Sequence, residues 1–459
     1  MEQLIRKKMD EEASSFYRAL VAIVLPIAIQ NFITSAVGSA DVLMLGYVGQ
    51  SELSAVSLAN QYQFILSGFF FGISSGITIM GSQYWGKKDT RAVQAIMGIA
   101  LKISLVVCTI VALAALFVPR QLMLIYTNDL DLVEIGVGYL RITAVAYLFS
   151  GISQVYLSTL RAMERAKLST IISGTALFIN IALNATFIFG LFGAPKLGVI
   201  GVAMATSFSR IVEVTLCLID YSRGKFMKPD LKVVFGHHKE LFQDYLKYSI
   251  PALLNDLSWT LAFSSYSIIM GHLNADVVAA NSVVTTVRDL CTILCYGLSS
   301  GGSVVLGIQI GEGKMEETKR NASRLCRVTL LCGILTGVIV IAIRPLVFLC
   351  FTLTERAYGY LNFMMWISGY YVIGQVMNTV LIAGIFRAGG DSKFGFICDT
   401  ITMWCVSVPL GFLSAFVLKL PPMAVYFILC LDEFWKIPVV YKHYKGYKWL
   451  NNITRENAA

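Results

Sequence analysis

From about residue 18 to about residue 441 the chain is a succession of apolar runs, many of them 20 residues or longer, broken by short polar stretches. A helix of about 20 apolar residues crosses a hydrocarbon layer of roughly 30 Å. In lipid such a helix satisfies its own backbone hydrogen bonds, which an open strand cannot do. Segmentation at the polar breaks predicts twelve spans, at about residues 18–44, 54–82, 92–117, 132–155, 168–190, 197–221, 248–270, 277–308, 328–343, 358–384, 394–414 and 420–441. Only 14% of residues are charged and 56% are hydrophobic, against about 25% charged in soluble domains. The expectation is an all-α membrane protein whose solvent is lipid. Residues 1–18 carry no cleavable-leader pattern and open directly onto the first span.

The net charge of +9 would suit nucleic acid, but its placement excludes that reading. Both ends and the even-numbered loops hold Arg6, Lys7, Lys8, Lys87, Lys88, Arg91, Arg161, Arg165, Lys167, Lys225, Lys228, Lys232, Lys314, Lys319, Arg320, Arg387, Lys393, Lys442, Lys445 and Lys448. The odd-numbered loops hold only Arg120, Lys196, Arg344, Arg356 and Lys419. By the positive-inside rule both termini are cytoplasmic, in a multi-pass protein of the plasma (inner) membrane. The short ends favour a prokaryotic source, and nucleic acid is not an expected partner.

The two halves repeat. At an offset of 225, Pro26 meets Pro251, Gly46 meets Gly271, and residues 72–76 (GISSG) meet 297–301 (GLSSG). At 226, Gly81 meets Gly307, Gln83 meets Gln309, Lys88 meets Lys314, Pro119 meets Pro345, Arg161-Ala162 meets Arg387-Ala388 and Pro195 meets Pro421. One residue of slip over six helices predicts two pseudo-symmetric six-helix bundles. An even number of spans per half makes the repeat parallel, and such repeats typify transporters. The expected organisation is an N-lobe (1–221), a basic cytoplasmic linker (222–243), a C-lobe (244–441) and a cytoplasmic tail (442–459).

Ionisable groups inside spans are costly and therefore functional candidates. Asp41 lies far along the first span after Pro26, Gln30 and Asn31; it is either a coupling carboxylate or a cap near the outer membrane face. Asn180 and Asn184 share one helical face of the fifth span, and Thr206 in the sixth adds a hydroxyl. One carboxylate among neutral oxygens suits Na⁺, with Asp41, Asn180 and Asn184 as ligands, and equally suits a proton. The asparagines also read as helix–helix glue.

These residues sit within motifs that resemble the multidrug and toxic compound extrusion (MATE) transporters over nearly the whole chain. The carriers are PIAIQN (26–31) leading to Asp41, GSQYWGKKD (81–89), Leu160-Arg161-Ala162, PKLGVIGVAMAT (195–206) and FRAGGDSKF (386–394). The resemblance implies an N-lobe cation site at Asp41, Asn180, Asn184 and Thr206. It also implies export of organic cations and other amphipathic compounds in exchange for Na⁺ or H⁺. The expected mechanism is alternating access by two lobes enclosing a V-shaped central cleft, with Pro26 as hinge of the first helix.

The second half does not copy that site, since Tyr266, Val406, Leu410 and Asp432 stand at the corresponding positions. Its own candidates for coupling or substrate are Asp256, Arg288, Asp289, Asp399, Asp432 and Glu433, with Asp256 and Asp399 the preferred pair. Arg288 is expected to be neutralised by one of these acids. Trp259, Tyr266, Tyr139 and Tyr370 are candidates for a substrate cavity, through cation–π attraction. Nothing points to an enzyme: His237, His238 and His443 fall in cytoplasmic segments, His272 at an outer span end, and no phosphate-binding Gly-Lys-Ser/Thr loop occurs. The ten cysteines are scattered without metal-ligand spacing. No cofactor is expected beyond the coupling ion; the partners are the bilayer and small amphipathic or cationic molecules. A monomer suffices. A lipid-linked oligosaccharide flippase of related architecture is the alternative.

Overall fold

A computed structural model describes residues 2–224, 227–350 and 353–456, with side chains from residue 11 onward. Met1, Lys225 of the expected linker and the last three residues of the expected tail lie outside the described residues, as do the side chains of Arg6, Lys7 and Lys8. The chain is helical almost throughout: α1 (Glu2–Val48), α2 (Gln50–Gly86), α3 (Thr90–Phe117), α4 (Pro119–Tyr126), α5 (Leu130–Ala162), α6 (Ala166–Phe189), α7 (Gly198–Arg223) and α8 (Leu231–Phe235). The second half follows with α9 (Lys239–Gly271), α10 (Ala275–Gly311), α11 (Met315–Ala342), α12 (Arg344–Cys350), α13 (Glu355–Phe386), α14 (Ser392–Val417), α15 (Pro422–Leu429) and α16 (Asp432–Lys445).

Ten of the described helices are long and apolar enough to cross a bilayer. The seventh and twelfth expected spans are the differences. The seventh forms α9, a continuous helix of 33 residues diluted by polar side chains such as Asn255, Asp256 and Ser258. The twelfth is broken in two at Cys430-Leu431, where the first-turn acids Asp432 and Glu433 start a new helix. Asp432 accepts the Glu433 backbone N–H at 2.8 Å, so the break is satisfied locally.

The chain divides into two compact units, one of residues 1–28 with 247–455, the other of residues 29–246 with the last four. In the first-half unit α5 is the hub, packed against α2, α3 and α7. In the second-half unit α13 takes the same role against α10 and α11, at the position the sequence repeat assigns. Both hubs pack through small residues. A methyl group on Gly337 of α11 would lie 2.2 Å from the Gly369 carbonyl oxygen of α13, so the two backbones touch. Residues 1–28 join the second-half unit in the same manner: a Cβ on Gly301 of α10 would sit 2.6 Å from a Val24 methyl.

The outer faces carry lipid-facing stripes. Val106, Ile110, Leu113 and Phe117 line α3, and Leu331, Ile334, Leu335 and Val338 line α11, all exposed. The linker is anchored on α3. Gln94 accepts from the Asp230 N–H at 3.0 Å and donates to the Lys228 carbonyl, while Lys102 donates to the Phe235 and Gly236 carbonyls that end α8. Beyond α16, Trp449 is wholly buried and Asn452 donates to the Ile310 carbonyl of α10, so the described tail packs on its unit.

Gly337→Ala is expected to lower stability by about 1–3 kcal/mol, because the added carbon forces α11 and α13 apart. Gly174→Ala, whose methyl would meet nothing within 4 Å, is the control and should not lower it. Thermal unfolding in detergent distinguishes the two, and equal behaviour would contradict the backbone contact.

Candidate cation site and the buried charge network

Three helices of the first-half unit bring the predicted polar residues together. Asn184 on α6 donates through Nδ2 to Asp41 Oδ1 on α1 at 2.8 Å, and to Asn180 Oδ1 at 3.3 Å. Asn180 in turn donates to Thr206 Oγ1 on α7 at 3.4 Å. Tyr139 on α5 lies beside Thr206 and donates to Asn60 Oδ1 of α2 at 3.0 Å. Helical spacing explains the set: residues 180 and 184 stand one turn apart and project toward one neighbour. The Asp41 carboxylate accepts from the Asn184 side chain, and α1 continues seven residues beyond it to Val48.

Asn184 is 0% exposed and its Oδ1 has no hydrogen-bond donor. A buried acceptor left over beside a carboxylate is the donor set a monovalent cation requires, because neutral oxygens replace its hydration and the carboxylate its counter-charge. No group of three or more His, Cys, Asp or Glu that could hold a metal occurs among the described residues. Amide and hydroxyl oxygens are what this site offers. Pro26 lies in α1 two residues before the end of the 1–28 segment, while Asp41 belongs to the other unit.

Deeper along α7 is a feature the sequence reading passed over. Glu213, 1% exposed, accepts from Ser153 at 2.8 Å and from Arg210 at 2.9 Å. Its signal was present, since an acid three residues after an arginine in an apolar span forms a same-face pair.

The second-half unit contains a longer chain of charges centred on Lys436, which was also missed. Lys436 is 2% exposed and its Nζ lies 2.9 Å from Asp399 Oδ1 and 3.2 Å from Glu433 Oε1. Asn378 donates to Glu433 Oε2 at 2.8 Å, and Tyr266 donates to Asp432 Oδ2 at 3.3 Å. From Asp399 the network continues outward: Asn255 donates to Asp399 Oδ2 at 2.6 Å, and Arg387 donates to Asn255 at 3.0 Å and to Asp256 at 2.6 Å. Asp256 and Asp399 therefore do not pair directly. Asn255 and Arg387 together link them, and each has its own cation.

Arg288 corrects an expectation. Asp256, Asp399, Asp432 and Glu433 are engaged elsewhere, and among the described residues no carboxylate lies within ion-pair distance of its guanidinium. It is held instead between aromatic rings, 5.5 Å from the Phe263 centroid and 5.4 Å from that of Tyr371. Asp289 faces outward from the next position. Of the aromatics, Trp259 and Tyr266 flank Phe263 in one row, whereas Tyr370 packs on Phe427 and Phe434. Tyr139 belongs to the Asp41 chain in the other unit.

A family model described as MatE matches residues 26–186 and 251–413, two stretches that open on the repeat-related prolines. The chain is similar to YisQ of Bacillus subtilis, an uncharacterized transporter, with 24% identity over 94% of this chain and 95% of that one. It is similar to YoeA of the same organism, described as a probable multidrug resistance protein, with 25% identity over 93% and 92%. With NorM of Rhizobium meliloti, likewise described, it shares 24% over 91% and 90%. Among solved structures it superposes on MATE in the bent conformation with a TM-score of 0.85 at 17% identity, covering 94% and 95%. On a MOP superfamily transporter from Pyrococcus furiosus the TM-score is 0.83 at 18%, covering 93% and 95%. The last two likenesses establish the fold.

Lys436→Met is expected to destabilise the protein by about 3–5 kcal/mol, because it strands buried carboxylates without a counter-charge. Adding Asp399→Asn and Glu433→Gln should restore most of that loss. Thermal unfolding of the single and triple variants checks this, and a stable Lys436→Met protein would show that the network is not held by its lysine.

Proposed function

Because the chain belongs to the MatE family of membrane transporters, we propose that it is a secondary-active multidrug exporter that exchanges organic cations and other amphipathic compounds for Na⁺ or H⁺. The observation that carries the reading is the Asp41–Asn184–Asn180–Thr206 chain, with its unclaimed Asn184 acceptor. The names of relatives such as YoeA and NorM support the multidrug part.

Asp41 is the group on which coupling turns. As a carboxylate in a low-dielectric setting it is costly, and neutralisation by Na⁺ or a proton removes that cost. Neutral Asp41 relaxes its hold on Asn184, so the second half of α1 repacks against α6 and α7. Pro26 lacks the N–H that would tie its turn to the preceding one, and is the point about which that half bends. Exchange follows when the ion and the exported compound favour different packings of α1, by a coupling of about 1–3 kcal/mol.

The test is accumulation of a fluorescent organic cation in inverted membrane vesicles, with Na⁺ and pH gradients imposed separately. Wild type should follow one of them. Asp41→Asn should lose gradient-driven accumulation by about tenfold or more, while dye binding at equilibrium persists. Undiminished transport by the variant would remove Asp41 from coupling.

A further inference from the structure

Arg288 lies thirteen residues into α10, about 20 Å along the helix at 1.5 Å per residue, where an arginine normally meets an acid. It is 9% exposed, and its Nε is buried with no acceptor. The acids that could have answered it are bound elsewhere: Asp256 to Arg387, Asp399 and Glu433 to Lys436, and Asp432 to the Glu433 N–H and Tyr266. Asp289, the next residue, is exposed; it attracts the Arg288 charge without forming an ion pair with it among the described residues.

The rings of Phe263 and Tyr371 flank the guanidinium. Ring faces stabilise its charge through the π system but accept none of its N–H groups. What remains is the planar donor edge, the geometry that matches a carboxylate or phosphate through two parallel hydrogen bonds. Beside it, the Tyr371 hydroxyl is buried without a partner, a second donor that an oxyanion would satisfy. One turn further along α10 from Arg288, Thr292 lines a small apolar pocket with Gln375, whose unpartnered Oε1 is an acceptor and adds nothing to the binding of an oxyanion.

We propose that Arg288, assisted by Tyr371, is an oxyanion subsite for the transported compound. Arg288 is then the group that receives the carboxylate or phosphate of an amphoteric compound with an apolar body, and it sets the preference for such compounds over their neutral esters. The assignment rests on the exporter reading only in calling the ligand transported. Binding at Arg288 needs no gradient and does not involve Asp41.

The experiment measures equilibrium binding to the purified protein in detergent, by fluorescence polarisation, of two matched rhodamine dyes. One bears a free carboxylate and the other is its ethyl ester. Arg288→Gln is expected to weaken the carboxylate dye by about tenfold or more, the worth of a charge-assisted pair, and to change the ester by less than about twofold. Arg288→Lys should recover part of the loss, since an ammonium keeps the charge without the fork, and Tyr371→Phe should weaken the carboxylate dye by a smaller factor. Parallel thermal melts confirm that each variant is folded. Equal weakening of both dyes, or no change in either, would overturn the proposal. Loss of the carboxylate preference on adding phosphatidylglycerol would give the subsite to a lipid headgroup, and overturn its assignment to the transported compound.

Discussion

A charge taken into hydrocarbon costs several kcal/mol unless something meets it at contact distance, and this requirement organises both units. In the first-half unit the carboxylate of Asp41 is met by the amide of Asn184, a neutral partner that leaves the negative charge in place. In the second-half unit Asp399 and Glu433 are met by the ammonium of Lys436, a cation tethered to the chain. Both arrangements lower the same cost, but only the first does so without a cation of the protein's own among the described residues. Sequence-related halves thus arrive at unlike electrostatics through a few side-chain choices on a shared backbone plan.

Much of this plan was legible in the amino-acid sequence. Helices in lipid are announced by length and apolarity, so the spans could be read without knowing what they touch. Duplication was equally open, because Pro26 with Pro251 and GISSG with GLSSG need only be laid side by side. The Asp41 group could be assembled because the signal is sparse: a carboxylate and two asparagines stand out in apolar surroundings.

The rest was hidden for physical reasons. Lys436 lies near the end of the expected twelfth span, where a lysine ordinarily snorkels to water. Its burial depends on Asp399, a partner on another helix that no local pattern indicates. Arg288 failed in the opposite sense: of the five acids that promised a neutralising partner, tertiary packing commits Asp256, Asp399, Asp432 and Glu433 elsewhere and leaves Asp289 facing outward. The split twelfth span has the same origin. Hydropathy averages over Asp432 and Glu433, whereas the chain breaks there to give those acids backbone and side-chain partners.

The contact between Val24 and Gly301 bears on how the protein is made. Membrane proteins are synthesised from the N-terminus, and their domains generally fold as units during synthesis. The first half of α1 precedes the rest of the first repeat in the chain, yet the helix it packs against is encoded in the second repeat. Until α10 is in the bilayer that stretch of α1 has lipid or another protein for company, while residues 29–246 already have their partners. The second-half unit therefore closes around a segment made before the whole first-half unit. Packing of the first half of the first helix has to wait for a helix of the second repeat.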